Sequence, residues 1–289
     1  MALNAPATNP AADGLVSLSV DVIDASPEIQ GWVAQFDAAD RVLAAQMFRR
    51  LRFVSASTFE HWFRSTVAAE ARKGPTAVFS IDGASVGGAD EAGQRPYWLD
   101  DGTLADRPGG SRGSEDLVSS LISRLDPTAG ATDGYPSIDE MRCRRTRRIL
   151  LLDDSIGSGN TTRKFLSRFM NHATLRSWWS AGLIHITVAS FARNRAAENR
   201  VLAEMPGRGS RSRRKRTSRL HATLRARVVV DAGDLVSRWG PGADDVVALC
   251  RRQNGIYKHR RLGYGKTMSN IVFEHSVPNN IPGVFWFDS

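Results

Sequence analysis

Apolar residues recur every three or four positions in the first quarter of the chain and gather into short continuous runs after it. Ser26-Pro27-Glu28 reads as an N-cap with proline at the first helical position, and a short helix through Trp32 and Phe36 follows. Leu43, Met47, Leu51 and Val54, with Ala44 and Phe48 beside them, form a stripe, while Arg49, Arg50 and Arg52 mostly face away. That spacing predicts a second, amphipathic helix, which Asp37 or Asp40 can cap. Phe59, Trp62, Phe63 and Val67 predict a third over 58–72, stopped by Gly74-Pro75. Residues 27–74 therefore form an N-terminal helical segment. The residues before it, 1–26, read as a disordered tail.

The period then changes. Thr76 to Ile81 is a β-branched and aromatic run stopped by Asp82-Gly83, which predicts a strand. Eight glycines fall between Gly83 and Gly113, a composition that predicts a long mobile loop. Ser114 with Glu115-Asp116 caps a helix through Leu117, Leu121, Ile122 and Leu125, and Asp126-Pro127 closes it. Ile149 to Leu152 is a continuous apolar run, as expected of a strand covered on both faces of a parallel sheet. A glycine-bearing loop, a helix from about Thr162, a strand over 183–191 and another over 227–231 follow, and short β-like pieces lie near Pro278 and Pro282. Helix and strand alternate, so residues 75–289 read as an α/β domain with a doubly wound, mainly parallel sheet.

Composition adds limits. The chain has 289 residues, 42% of them hydrophobic, enough for an ordinary core without a disulfide or metal staple. Its two cysteines, Cys143 and Cys250, form no CxxC pair, and the six histidines show no metal spacing. No protein metal cluster is expected, and the compartment reads as reducing and cytoplasmic. No apolar run is long enough to span a membrane, and the first residues do not resemble a secretory signal. The net charge of +9 is concentrated in two short places. Arg142 to Arg148 holds five arginines, and Arg208 to Arg219 holds seven cationic side chains, both without an acid. The second run lies in a basic insertion over 205–220. Arg211, Arg213, Arg214, Lys215 and Arg216 could contact nucleic-acid phosphates, but no aromatic is interleaved, so a solvated loop is the favoured reading. The first run is either a surface turn or faces an anionic partner.

The richest stretch runs from Ile149 to Thr162. Four apolar residues lead into Asp153-Asp154, at the strand end where open α/β sheets bind ligands. Gly157 and Gly159 let backbone approach a ligand, and successive N–H groups before a helix suit a phosphate. Ser155, Ser158, Asn160, Thr161 and Thr162 complete this polar stretch, and the hydroxyls of Ser158, Thr161 and Thr162 add donors. A ribose 5-phosphate answers both features, with phosphate for the loop and ring hydroxyls for the acids. Gly265-Lys266-Thr267 is not a P-loop, because Arg260 stands where the first glycine is required.

The stretch resembles the 5-phosphoribosyl-1-pyrophosphate (PRPP) signature of type I phosphoribosyltransferases, with Gly157 where common members carry a small side chain. The Asp153–Thr162 form, the Trp32…Phe36 helix and Leu262 to Trp286 are similar to a divergent phosphoribosyltransferase group of prokaryotic antiphage systems, some encoded with retrons. The resemblance implies a phosphoribosyltransferase-like fold over 75–289, Mg2+ as cofactor, and transfer or hydrolysis at the ribose anomeric carbon. It also implies a pyrophosphate loop at Asp82, Gly83, Ala84 and Ser85, although this loop lacks the basic residue often found there. A lid bearing Arg95, Arg107 and Arg112 and a base pocket at Asn279 and Asn280 are implied too, beside the plainer readings of a solvated insertion and a turn. The partners it implies are a ribose-phosphate small molecule and a reverse transcriptase, msDNA, RNA or another defence protein. A non-catalytic PRPP or nucleotide sensor is the alternative function, and a partner in a nucleic-acid complex that uses the basic segments is another.

Overall fold

A computed structural model describes residues 15–81, 96–105, 115–126, 131–204 and 221–286. The chain divides into two compact units, one of residues 1–59 with 230–289 and one of residues 60–229.

Among the described residues the first helix is α1 (Val20–Ala25), inside the stretch expected to be a disordered tail. Ser19 caps it by accepting from Val22 N at 3.3 Å. Helix α2 (Pro27–Ala34) starts where expected, with Ser26 Oγ accepting from Ile29 N at 3.3 Å. Helix α3 (Arg41–Arg50) buries Ala44 and Met47, then stops short of the predicted stripe. Leu51 is extended, and Arg52–Val54 form strand β1, so Val54 reaches the core from a strand. The cause is long-range: Arg52 N donates to Asn270 O at 2.8 Å. Helix α4 (Ala56–Ala71) matches the third predicted helix.

The sheet unit follows with β2 (Thr76–Ser80), α5 (Glu115–Ser123), β3 (Thr132–Gly134), α6 (Ile138–Cys143) and β4 (Arg148–Ile156). It continues through α7 (Asn160–Phe169), α8 (Ala173–Ser180), β5 (His185–Asn194), α9 (Ala197–Ala203) and β6 (Ala222–Val230). The strands form one five-stranded sheet in the order β3-β2-β4-β5-β6, parallel at β2–β3, β2–β4 and β4–β5. Ile149 to Leu152 are at most 1% exposed, which is why that run is continuously apolar. Phe165, Leu166 and Phe169 of α7 pack on Phe79, Leu151 and Val188.

Part of the glycine-rich stretch packs into the core. Tyr97 and Trp98 are each 5% exposed, and Trp98 Nε1 donates to Phe169 O at 2.8 Å. Two large aromatics gain more from burial than the flanking glycines gain from freedom. Residues 96–105 are thus anchored in the core, whereas Arg95, Arg107 and Arg112 lie outside the described residues.

At the amino end of the sheet a buried carboxylate gathers cations that reach the surface. Glu70 pairs with Arg148 at 2.9 Å, Lys73 at 2.5 Å and Arg225 at 3.4 Å. Burial alone would raise the Glu70 pKa, but Lys73 and Arg148 outweigh it and hold the carboxyl below its ordinary value. His185, hydrogen-bonded to Thr223 Oγ1 at 2.9 Å, is pushed down to about 4, first by burial and then by Arg148.

The chain closes with α10 (Leu235–Trp239), α11 (Ala243–Arg252) and β7 (Ile271–Phe273), which pairs parallel with β1. Met47, Leu51, Trp239, Leu249, Met268 and Ile281 share this unit's core. The buried Arg238 donates to the carbonyls of Met268 at 3.1 Å and Thr267 at 3.3 Å, stapling the segment before β7. Among the described residues no helix is long and apolar enough to cross a membrane.

Candidate functional site

Beyond β2 the chain travels to β3, and beyond β4 it travels the opposite way to β5. The crevice outside the carboxyl ends of β2 and β4 is therefore the switch point at which such sheets bind ligands. Ile81 N donates to Leu152 O at 2.7 Å, so the strand ends leave side by side. Ser80, fully buried at the end of β2, is tied to Tyr135 Oη at 2.7 Å and Ser119 Oγ at 3.2 Å. Asp82, Gly83, Ala84 and Ser85 come directly after Ile81 and lie outside the described residues, as do Arg211, Arg213, Arg214, Lys215 and Arg216.

The sequence reading ends the central strand at Leu152, but β4 continues through Asp153, Asp154, Ser155 and Ile156. The longer β5 explains the extension: Asp153 lies opposite Ser190, Ser155 opposite Ala192 and Ile156 opposite Arg193. Because side chains alternate along a strand, the two carboxylates start from opposite faces of the sheet. Asp154 is 7% exposed, whereas Asp153 is half-buried. The acids are not an equivalent pair.

The loop then turns through Gly157 and Ser158 to Gly159, which stands at φ 78°. A Cβ there would lie 3.1 Å from Val201 Cγ2 and 3.3 Å from Ala197 Cβ of α9. Whatever it offers a ligand, Gly159 also makes room for a neighbouring helix. Helix α7 begins at Asn160, two residues before the predicted start, and its N-cap, Gly159, has no side chain with which to cap the first turn. Asn160 N donates to Ser158 Oγ at 3.3 Å, and the first helical bond runs from Arg163 N to Gly159 O. The N–H groups of Thr161 and Thr162 precede that bond and belong to the positive end of the helix dipole. Ser155, Gly157, Ser158 and Asn160 are half-buried and Thr161 is exposed, while Thr162 is only 1% exposed.

Cations beside this loop escaped the sequence reading. Arg193, 6% exposed at the end of β5, pairs with Glu198 at 3.0 Å. Arg200 on α9 reaches Ser158 O at 3.5 Å, and Arg163 pairs with Glu204 at 3.6 Å. The available signal was Arg193-Asn194-Arg195, polar residues following an apolar strand as Asp153-Asp154 do.

Asn279 and Asn280 belong to the other unit. Asn279 O accepts from Tyr264 N at 2.8 Å, and Asn280 O accepts from Ser269 N at 3.0 Å. A Cβ on Gly263, at φ 71°, would stand 2.3 Å from Asn280 O. The backbone of both asparagines thus serves a tight turn. The Asn280 side chain is buried, and its Oδ1 makes no hydrogen bond among the described residues.

Residues 109–289, more than half of the chain, match the PRTase-CE family. The chain belongs to this family. It is a phosphoribosyltransferase-like protein, and the matched region includes β4, its acids and the loop to α7. No curated protein matches the chain. As for the metal such proteins typically use, no group of three His, Cys, Asp or Glu that could hold an ion exists among the described residues of this PRTase-CE protein. Its donor set suits Mg2+ held by one or two carboxylates together with ligand phosphates, a mode in which Mg2+ keeps few protein ligands.

Proposed function

We propose that this PRTase-CE protein binds PRPP or a related ribose phosphate at the carboxyl ends of β2 and β4. The observation carrying the reading is the start of α7 at a glycine N-cap, beside the Asp153-bearing strand end at the switch point. The N–H groups of Gly157 to Thr162 and the hydroxyls of Ser158 and Thr161 receive the 5-phosphate. Asp153, the more accessible acid, accepts from ribose hydroxyls, and Asp154 supports the strand end from the opposite face. Ser155 and Asn160 line the same mouth.

The reaction is displacement at the anomeric carbon. The C1–O bond to pyrophosphate breaks, pyrophosphate keeps the electron pair, and a nitrogen base or water forms the new bond to C1. Mg2+, held through Asp153 and ligand oxygens, would supply charge neutralisation of the leaving group. Resemblance of residues 262–286 to a group from prokaryotic antiphage systems supports an effector role in such a system, with a reverse transcriptase or other defence protein as partner. A non-catalytic PRPP sensor is the second reading, favoured by the absence of a basic residue from Asp82-Gly83-Ala84-Ser85.

Thermal melting of the full chain with PRPP and Mg2+ tests the site: a ligand-dependent rise in midpoint is expected. No rise overturns PRPP as ligand. Pyrophosphate release then separates turnover from sensing.

A further inference from the structure

The five arginines between Arg142 and Arg148 have different fates. Arg148 pairs with Glu70 at 2.9 Å, Arg144 with Asp133 at 3.1 Å, and Arg142 with Asp139. Arg145 and Arg147 are exposed and form no ion pair among the described residues. Arg145 also stands at φ 52°, a conformation uncommon outside glycine. It is held there because Arg145 N donates to Arg142 O at 3.0 Å and Thr146 N donates to Met141 O at 2.9 Å. Arg147 lies against β5's approach, with Nη1 3.4 Å from Leu183 O.

These two cations border a groove of about 160 Å3 at the amino end of the sheet. Met141 and Ile184 floor it, Trp178 stands half-buried in its wall, and Leu183 is 45% exposed. Trp179, the neighbouring ring, is buried, so the Trp178-Trp179 pair presents one aromatic to the groove. The Trp178 ring packs in part against the sheet core and keeps its remaining surface beside two guanidiniums that have no acidic partner among the described residues.

We propose that this groove binds single-stranded nucleic acid, with a base on Trp178 and Leu183 and flanking phosphates on Arg145 and Arg147. The volume suits one base, and the alternation of a flat apolar wall with cations is the arrangement that reads a single strand without sequence preference. An acidic peptide would use the arginines but not the indole. Strand β4 links the groove to the ribose-phosphate site: Arg147 precedes it and Asp153 nears its end, roughly 20 Å away at about 3.3 Å per residue. The two sites therefore occupy opposite ends of the sheet and can be altered separately.

Fluorescence anisotropy with a labelled short single-stranded oligonucleotide tests the proposal on the full chain. The double variant Arg145→Glu with Arg147→Glu should bind about tenfold or more weakly, and its log–log salt slope should be shallower by about 1.4, about 0.7 per lost contact. Trp178→Ala should weaken binding about tenfold, and Trp178→Phe should retain most of it. PRPP-dependent melting should be unchanged in all three. Absence of binding by the wild-type chain overturns the proposal. So does wild-type affinity in the arginine double variant, which would assign binding to another basic segment such as Arg208–Arg219. Competition by poly-glutamate as strong as by the unlabelled oligonucleotide also overturns it, in favour of an acidic peptide. If Trp178→Ala fails to fold, the exposed arginine pair still decides the matter.

Discussion

Gly159 and Val201 are separated by just the space that a hydrogen fills: a Cβ on the glycine would lie 3.1 Å from Val201 Cγ2. Gly159 also adopts φ 78°, where a side chain costs about 1–2 kcal/mol. Gly159→Ala should therefore destabilise the protein by roughly that amount, and Gly159→Val by more, because branched carbons meet Ala197 as well. Denaturant unfolding measures this. If Gly159→Val unfolds at the wild-type midpoint, the packing of the loop on α9 is wrong.

Asp153 and Asp154 should respond differently. Loss of one charge-assisted hydrogen bond costs about 1.5–3 kcal/mol, so Asp153→Asn should weaken PRPP binding roughly 10- to 150-fold with little effect on stability. Asp154→Ala, at a buried position, should lower stability as well as binding. Calorimetric titration gives the affinities and thermal melting the stabilities. Unchanged PRPP affinity in Asp153→Asn would refute its role with the ribose.

Trp98 reports whether residues 96–105 are core or lid. Trp98→Ala removes a buried indole and leaves Phe169 O without its donor, so it should cost about 3–5 kcal/mol. A lid residue would instead change ligand affinity and leave the melting temperature in place.

His185 should make the fold sensitive to mild acid. Its folded pKa lies near 4, below the ordinary value of 6.5, so between these pH values the unfolded chain binds the extra proton. Stability therefore rises with pH across that window and falls as pH drops through it. Glu70, with its pKa held low, adds a contribution that is present above its ordinary value of 4.5 and lost as pH falls through the folded value. His185→Gln should flatten the pH dependence of the melting temperature between pH 6.5 and 4, leaving the loss below it. An unaltered profile in that variant would rule out His185 as the source.

The sequence alone determined the elements whose signals are local. The serine and proline at Ser26-Pro27 start α2 because a hydroxyl cap and a fixed φ act within one turn. The run Ile149 to Leu152 marks the central strand because burial on both faces tolerates no polar position. The small residues after its acids marked the end of that strand and the turn into α7, because that composition breaks an apolar run locally. What the tertiary structure alone decided depends on partners distant in sequence. Val54 left its predicted helix because the backbone of residues 270–273 offered β1 a parallel neighbour. Tyr97 and Trp98 joined the core from within a glycine-rich stretch because Phe79, Phe165 and Phe169 were there to receive them. The reach of β4 through Asp153 and Asp154 was set by the length of β5, and with it the opposite orientation of two neighbouring carboxylates. Local propensity has no access to such choices, because the energy that makes them comes from surfaces that meet only once the chain has folded.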